Sequence, residues 1–153
     1  MNLAKNFKLK ELTDSAWASA HKVPNVPSAE EIANLTATAT MLQKIRDFLS
    51  AHRGADTPMY DLSGFRSIPV NRGIGSADSS HHVKGYACDF KAKGLTPYEV
   101  CNLLLPHLDE FGIGQIINEL TWVHVSTKTV ERAVNRIITI DSKGTRVGIL
   151  PVR

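Results

Sequence analysis

Two short segments of the sequence carry residues that could bind one metal ion together. His82 and Asp89 lie seven positions apart with Gly85 between them, and His124 follows in the second segment. On a straight helix, two turns would separate the first pair by about 10 Å, too far to share an ion. A chain that folds back at the glycine, from a loop onto a strand, would bring them together. An imidazole and a carboxylate are ordinary zinc ligands at about 2.0–2.2 Å.

The alternation of side chains along two predicted strands supports this grouping. In the predicted strand 86–90, Asp89 faces away from Cys88 and Phe90, which we expect in the core, because successive side chains point to opposite faces. In the predicted strand 122–126, the two valines occupy the core positions. The face opposite the valines carries Trp122, His124 and Ser126. A site with two histidines and one carboxylate leaves a position for water, which is the catalytic arrangement.

The joint pattern of these segments resembles a known family. Ser80-x-His82-x-x-Gly85-x-Ala87-x-Asp89, followed by Trp122-x-His124, is similar to the pattern of the M15 zinc metallopeptidases, which are D-Ala-D-Ala carboxypeptidases and related peptidoglycan peptidases. Ser63-Gly-Phe-Arg-Ser67 resembles an upstream segment of that family. The opening, Asn6-Phe-x-Leu-x-Glu11-Leu, resembles its compact phage and prophage branch. The resemblance covers about residues 6–140.

The resemblance implies a role for each residue of the site. The ligands of one zinc ion per chain would be His82, Asp89 and His124. Arg66 would stabilise the developing oxyanion, and Glu119 would be the base that activates the attacking water. Residues that contact the substrate or support the ligands would be Ser80, Trp122 and Ser126. Many members carry the acid three residues before the last histidine, where this chain has Thr121, so a turn at 120–121 must aim the glutamate at the water.

Other interpretations of the same residues stay open at this point. The histidine and aspartate of the first segment could form a structural hydrogen-bonded pair, and His81 could be the ligand in place of His82. Arg66 could form an ordinary salt bridge within its loop. Trp122 could be a core residue only, and Glu119 could be a surface acid at the end of a strand.

The helix and strand signals predict a single α+β domain over residues 1–153. Two capping boxes, the first followed by apolar residues at three- and four-residue spacing, predict helices over 29–51 and 97–110. Residues 63–81 are rich in Ser, Gly, Asp and Asn, which predicts a long loop. Strands are predicted at 58–62, 86–90, 115–118, 122–126, 136–140 and 146–150. We expect a small antiparallel sheet with helices packed on one face and the zinc site on the open face.

The composition limits the class of protein. A chain of 153 residues with 42% hydrophobic and 22% charged residues is typical of one globular domain, and no apolar run reaches the roughly 20 residues of a membrane span. A net charge of +3, without a basic stripe interleaved with aromatics, argues against a nucleic-acid partner. Two cysteines, Cys88 and Cys101, are too few for a disulfide scaffold, so we expect both reduced. The N-terminal segment lacks the apolar core of a signal peptide, which predicts synthesis in the bacterial cytoplasm.

The residues and the resemblance together predict a zinc-dependent peptidase that hydrolyses an amide bond in bacterial peptidoglycan stem peptides. We expect a monomeric phage or prophage lysis enzyme, an endolysin that acts on the cell wall after its release. Both an endopeptidase and a D-Ala-D-Ala carboxypeptidase fit the pattern. The alternative is a non-catalytic metal-binding module of a wall-binding or virion-structural kind, which the threonine at position 121 favours.

Overall fold

The computed structural model describes residues 1–130 and 133–153, and strands from the whole length form two sheets. The strands are β1 (Asn2–Ala4), β2 (Phe7–Lys8), β3 (Met59–Ser63), β4 (Ala87–Ala92), β5 (Gln115–Asn118), β6 (Val123–Ser126), β7 (Ile137–Asp141) and β8 (Gly144–Val147). The first two strands pair only with each other, and the other six form one sheet in the order β3-β4-β6-β5-β7-β8. The two strands that carry the predicted ligands, β4 and β6, are therefore neighbours near the middle of the larger sheet.

The helices are distributed along the chain between these strands. They are α1 (Leu9–Thr13), α2 (Ala16–His21), α3 (Ala29–Arg53), α4 (Ile68–Ile74), α5 (Pro97–Leu104) and α6 (Leu108–Phe111), with 3₁₀ turns at His81–Lys84, Leu105–His107 and Ala133–Asn135. The longest, α3, begins at the predicted capping box, in which Ser28 and Glu31 each accept the other's backbone N–H. None of the described helices is both long and apolar enough to cross a bilayer.

Three predicted segments differ from the structure. The predicted strand 146–150 begins and ends earlier, at Gly144–Val147. The predicted helix 97–110 is broken, because Pro106 has no N–H to donate and its ring disfavours a continuous helix, so a 3₁₀ turn separates α5 from α6. The predicted loop 63–81 contains α4, whose start is capped by the Ser67 hydroxyl and whose first turn holds a proline. A helix of this length offers too few turns for its apolar spacing to be recognised in the sequence.

The prediction of a purely antiparallel sheet is wrong at one pairing. β5 pairs in parallel with β7, although β5 is antiparallel to β6 and β7 is antiparallel to β8. A parallel neighbour requires a connection longer than a hairpin turn, and the chain between β5 and β7, which includes β6, supplies it. The fold is therefore α+β, as predicted, but with a mixed six-stranded sheet.

The hydrophobic core lies between α3, α5 and one face of the sheet. Cys88 and Phe90 of β4 are fully buried in it, and so are both valines of β6, as the alternation predicts. The side chains that α3 buries fully against them include Leu35, Leu42, Ile45 and Leu49. Because side chains alternate along a strand, Asp89 and His124 lie on the opposite face, away from this core.

Both cysteines are free and fully buried, so we predict that their thiols do not react in the folded protein. Burial raises the pKa of Cys101 to about 12 and also raises that of Cys88. The thiolate is the reactive form, so a chromogenic disulfide reagent at about pH 8 should label neither cysteine before guanidinium unfolds the chain and both afterwards. Rapid labelling of the native protein would contradict this prediction, because it would show that the reagent reaches the buried cysteines.

Candidate metal centre

The register between β4 and β6 brings two of the predicted ligands together. Asp89 lies directly opposite His124 in this antiparallel pair, and residues in that relation have Cβ atoms about 4.5–5.5 Å apart. The Nδ1 atom of His124 is 2.9 Å from Oδ1 of Asp89, although 35 positions separate the two residues in the chain. Ile117 of β5 lies opposite His124 on its other side and extends the same row.

The third predicted ligand, His82, comes from the 3₁₀ turn His81–Lys84. The Ser80 hydroxyl caps this turn by accepting the backbone N–H of His82 at 3.3 Å. Gly85 ends the turn with a φ of 82°, and a Cβ atom at this position would lie 2.9 Å from the carbonyl oxygen of Glu31. Only glycine therefore allows the chain to pass α3 this closely and fold back into β4.

The hydrogen bonds of His82 determine which ring nitrogen faces Asp89. The Nδ1 atom lies 2.7 Å from the carbonyl oxygen of Gly64, which can only accept, so Nδ1 carries the hydrogen. Burial lowers the pKa of His82, which favours the neutral ring, and Nε2 then presents a lone pair 3.4 Å from Asp89 Oδ1. Two electron-rich atoms facing each other in a buried site are stabilised by a cation between them, so this arrangement fits a metal ligand.

The three side chains together have the dimensions of a zinc site. One ligand atom from each of His82, Asp89 and His124 lies within 4.8 Å of the others. Ligands at about 2.0–2.2 Å in a tetrahedron are about 3.4 Å apart, which matches the distance from His82 Nε2 to Asp89 Oδ1. Burial alone would raise the pKa of Asp89, but its contacts with the two histidines hold that pKa well below its usual range. The carboxylate is therefore ionised, as metal binding requires.

A cavity of about 280 Å³ opens beside the three ligands. Its walls also include Arg66, Ser76, Ser80, Ile117, Glu119 and Trp122. The sequence indicated neither Ser76 nor Ile117, because Ser76 follows the unpredicted helix α4 and the position of Ile117 depends on the strand register. Most of the predicted site residues thus surround one space.

The turn between β5 and β6 positions Glu119. The backbone N–H of Thr121 donates to the carbonyl oxygen of Glu119 at 2.8 Å, and Leu120 between them has a φ of 66°. This is a γ-turn with positive φ, the strained form, and such strain is concentrated at functional sites. The side chain of Asn118 supports the turn by accepting the N–H of Leu120 at 3.0 Å.

The surroundings of Glu119 adjust its proton affinity. Burial raises the pKa of Glu119, and the nearby Asp89 carboxylate raises it further. The indole N–H of Trp122 donates to Glu119 Oε2 at 2.6 Å and holds the carboxylate in place. Trp122 itself is 38% exposed, so it lies at the cavity rim and is not a core residue.

Arg66 brings a positive charge to the same cavity. Its backbone N–H donates to the carbonyl oxygen of His82 at 3.1 Å, which ties the arginine to the ligand turn. Burial lowers the pKa of Arg66, while Asp89 and Glu119 act in the opposite direction, and a guanidinium stays charged in proteins. Its Nε atom is buried and has no acceptor within residues 1–130 and 133–153. The guanidinium is therefore suited to bind a substrate oxygen.

Comparison with known proteins identifies the family. A family model described as Peptidase M15 matches residues 5–126, which is most of the chain. The chain belongs to the M15 peptidase family. The predicted resemblance to these zinc metallopeptidases is thereby confirmed, and the matched segment contains every residue around the cavity.

A curated M15 relative is similar over part of the chain. The zinc D-Ala-D-Ala carboxypeptidase of Streptomyces albus G is 34% identical over 89 residues, which is 57% of this chain and 31% of that protein. The match thus spans about a third of the relative's length.

One predicted site residue of this M15 peptidase, Ser126, lies outside the cavity, and the alternative ligand His81 lies outside the group of potential ligands among the described residues. Ser126 is fully buried and does not line the cavity, since its hydroxyl contacts Nδ1 of His81 at 3.1 Å and donates to the carbonyl oxygen of Lys128 at 2.8 Å. His81 thus contacts the serine and does not belong to the group of potential ligands formed by the described residues. The structure therefore groups His82, and not His81, with the other two ligands.

The neutral state of His82 predicts how the stability of the metal-free protein depends on pH. The unfolded chain binds this proton below about pH 6.5, but burial lowers the pKa in the folded state, so the folded state binds fewer protons. Its contribution to stability is complete above that pH and is lost as the pH falls. In chelator, the free energy of unfolding by urea should decrease below about pH 6.5, by at most about 1.4 kcal/mol per pH unit.

Variants at two histidines distinguish the contribution of His82 to this pH dependence from the contributions of other side chains. His82→Gln should flatten the slope, because its side chain binds no proton in either state. His52→Gln, at an exposed position near the end of α3, should leave the slope unchanged. An unchanged slope in His82→Gln would contradict the neutral ring.

Proposed function

We propose that this chain is a zinc-dependent peptidase that hydrolyses an amide bond in bacterial peptidoglycan stem peptides. The observation that carries the proposal is the convergence of two histidines and one aspartate with Glu119 and Arg66 around one cavity. Membership of the M15 family supports the zinc peptidase class. The name of the relative, a zinc D-Ala-D-Ala carboxypeptidase, supports the substrate class.

In this proposal each residue of the cavity has a defined task. His82, Asp89 and His124 hold one zinc ion per chain, which when bound supplies a Lewis acid that polarises a carbonyl and lowers the pKa of water to about 7. Glu119 takes a proton from the attacking water and later delivers it to the leaving amine. The raised pKa of Glu119 suits both steps, because its carboxylate then accepts a proton from water more readily and still releases it to the amine. Arg66 donates to the substrate oxygen as negative charge develops.

The other residues support this chemistry through hydrogen bonds. Trp122 orients Glu119 through its indole N–H, and Ser80 caps the turn that carries His82. The proposed nucleophile is water, so no nucleophilic side chain is required. Cys88 could not serve as one, because it lies in the core on the opposite face of β4. The finer assignment, a phage or prophage lysis enzyme acting on the cell wall, is supported by the resemblance of residues 6–12 to that branch of the family.

Zinc content tests the ligand assignment. We expect about one zinc per chain in the wild type and little in His82→Ala or His124→Ala, because losing one of three protein ligands removes most of the affinity. Elemental analysis after dialysis against a weak chelator provides the measurement, and circular dichroism verifies that the variants fold. His81→Ala is the matched control and should retain zinc. Stoichiometric zinc in both ligand variants would rule out this site.

Hydrolysis of purified peptidoglycan tests the function and the base. The wild type should release fragments whose masses identify the bond, either a terminal D-Ala-D-Ala bond or an internal one. Glu119→Gln keeps the shape but removes the basicity, so kcat should fall by at least about 100-fold with zinc retained. Thr121→Val, at an exposed position of the same turn, should lower kcat far less.

The same experiment separates the proposal from its rival. A non-catalytic wall-binding or virion-structural module would bind peptidoglycan without releasing fragments at any zinc concentration. Near-normal turnover of zinc-loaded Glu119→Gln would instead keep the peptidase function and assign the base to another group.

A further inference from the structure

A groove leads away from the metal centre on the side of His81. The cavity at the ligands shares part of its wall with a second one, namely Ser80, Ile117 and His124. The second shares Ser79, His81 and Val130 with a third cavity of about 560 Å³. The wall of the third also includes Tyr86, Lys128, Thr129 and Asn135. We call these three adjoining cavities the lysine groove, because their walls extend from the predicted ligands through His81 to Lys128.

Hydrogen bonds fix the ring of His81 in this groove. The Ser126 hydroxyl donates its hydrogen to the carbonyl oxygen of Lys128 at 2.8 Å, so towards His81 it can only accept. Nδ1 of His81, 3.1 Å away, is therefore the donor. In the neutral ring, Nε2 is left to accept a hydrogen bond from a bound ligand, for instance from a peptide N–H.

The ammonium group at the far end of the groove is also positioned. Nζ of Lys128 lies over the ring of Tyr86, 4.9 Å from its centroid, which is within the range of a cation–π contact. The ring of Tyr86 meets that of His81 edge to face, with centroids 6.4 Å apart. Thr127 ties this segment to the start of β4, because its N–H donates to the carbonyl oxygen of Tyr86 at 2.9 Å. The ammonium group of this exposed lysine thus has an aromatic partner at the wall of the groove.

We propose that the lysine groove is a substrate subsite for the glutamate α-carboxylate of the stem peptide, with Lys128 as its cation. The inference rests on the proposed peptidase function and adds a specificity determinant to it. His81 lines both the second and the third cavity, so a peptide that extends from His124 towards Lys128 would pass the acceptor of His81. With a cation at each end, the combined cleft suits an acidic peptide better than a neutral one.

Two peptides that differ in one charge test the proposal. The first is a stem pentapeptide with L-Ala-D-Glu and D-Ala-D-Ala bonds, and the second carries a carboxamide in place of the glutamate α-carboxylate. We expect wild-type kcat/KM to favour the carboxylate peptide roughly fivefold, the scale of one partly exposed ion pair. The preference should shrink in about 1 M salt, where charges are screened within about 3 Å. Calorimetry on zinc-loaded Glu119→Gln should give a similar ratio of Kd values.

Lysine variants provide the controls. Lys128→Met should bring both ratios close to one, and Lys128→Arg should retain most of the preference because it keeps the charge. Lys143→Met removes an equally exposed charge from the turn between β7 and β8, outside the groove, and should leave the preference intact.

The outcomes distinguish this inference from the function on which it rests. A wild type that cleaves or binds both peptides equally, or a Lys128→Met protein that keeps the preference, overturns the subsite and leaves the peptidase function standing. A zinc-loaded wild type that cleaves neither peptide nor peptidoglycan overturns the peptidase function, and the ratio of Kd values then decides the subsite alone.

Discussion

The antiparallel register between β4 and β6 is the constraint on which the whole site depends. It sets Asp89 opposite His124 and, in the same step, buries Cys88 and both valines of β6 under α3 and α5. A slip of one residue would exchange the two faces of a strand and move a carboxylate or an imidazole into the apolar core. Burying such a group without a partner costs several kcal/mol. The same hydrophobic pattern that stabilises the sheet therefore keeps Asp89 and His124 together on the face opposite the core.

The electrostatics of the site separate its two carboxylates by function. Asp89 lies between two imidazoles and stays ionised, whereas burial and the neighbouring negative charge make Glu119 hold its proton more readily. Environments that push two acids in opposite directions are typical of sites that need one permanent anion and one group that exchanges protons. The backbone also contributes to the environment of Asp89. The carbonyl oxygen of Gly64 accepts the hydrogen on Nδ1 of His82, so Nε2, which faces Asp89, carries none.

The sequence predicts the parts of this site that depend on local patterns. Strand alternation and Gly85 indicated that three distant side chains could share one ion, because a period of two and a glycine are visible in a single segment. The family resemblance then assigned these three as the predicted ligands. The parallel pairing of β7 with β5 was not predictable in this way, because it depends on which strand edge remains available after β6 has paired. The same holds for Ile117, which lines the cavity only because β5 lies beside β6. Helix α4 was missed for a different reason, since it is too short for its apolar spacing to be recognised and the residues around it, such as Ser67 and Gly75, are also typical of loops.

The position of Glu119 follows from the geometry of one hairpin. Asn118 pairs with Val123 on the core face, so the next pair outward, Glu119 with Trp122, returns to the face that carries His124. The turn itself contains only Leu120 and Thr121, and the residue three places before the histidine is therefore at the exposed tip. An acid at position 121 would extend from that tip, whereas an acid at position 119 lies along the strand beside the ligands. The five-residue spacing thus fits this two-residue turn, and this fit weakens the support that the threonine at position 121 gives to a non-catalytic module.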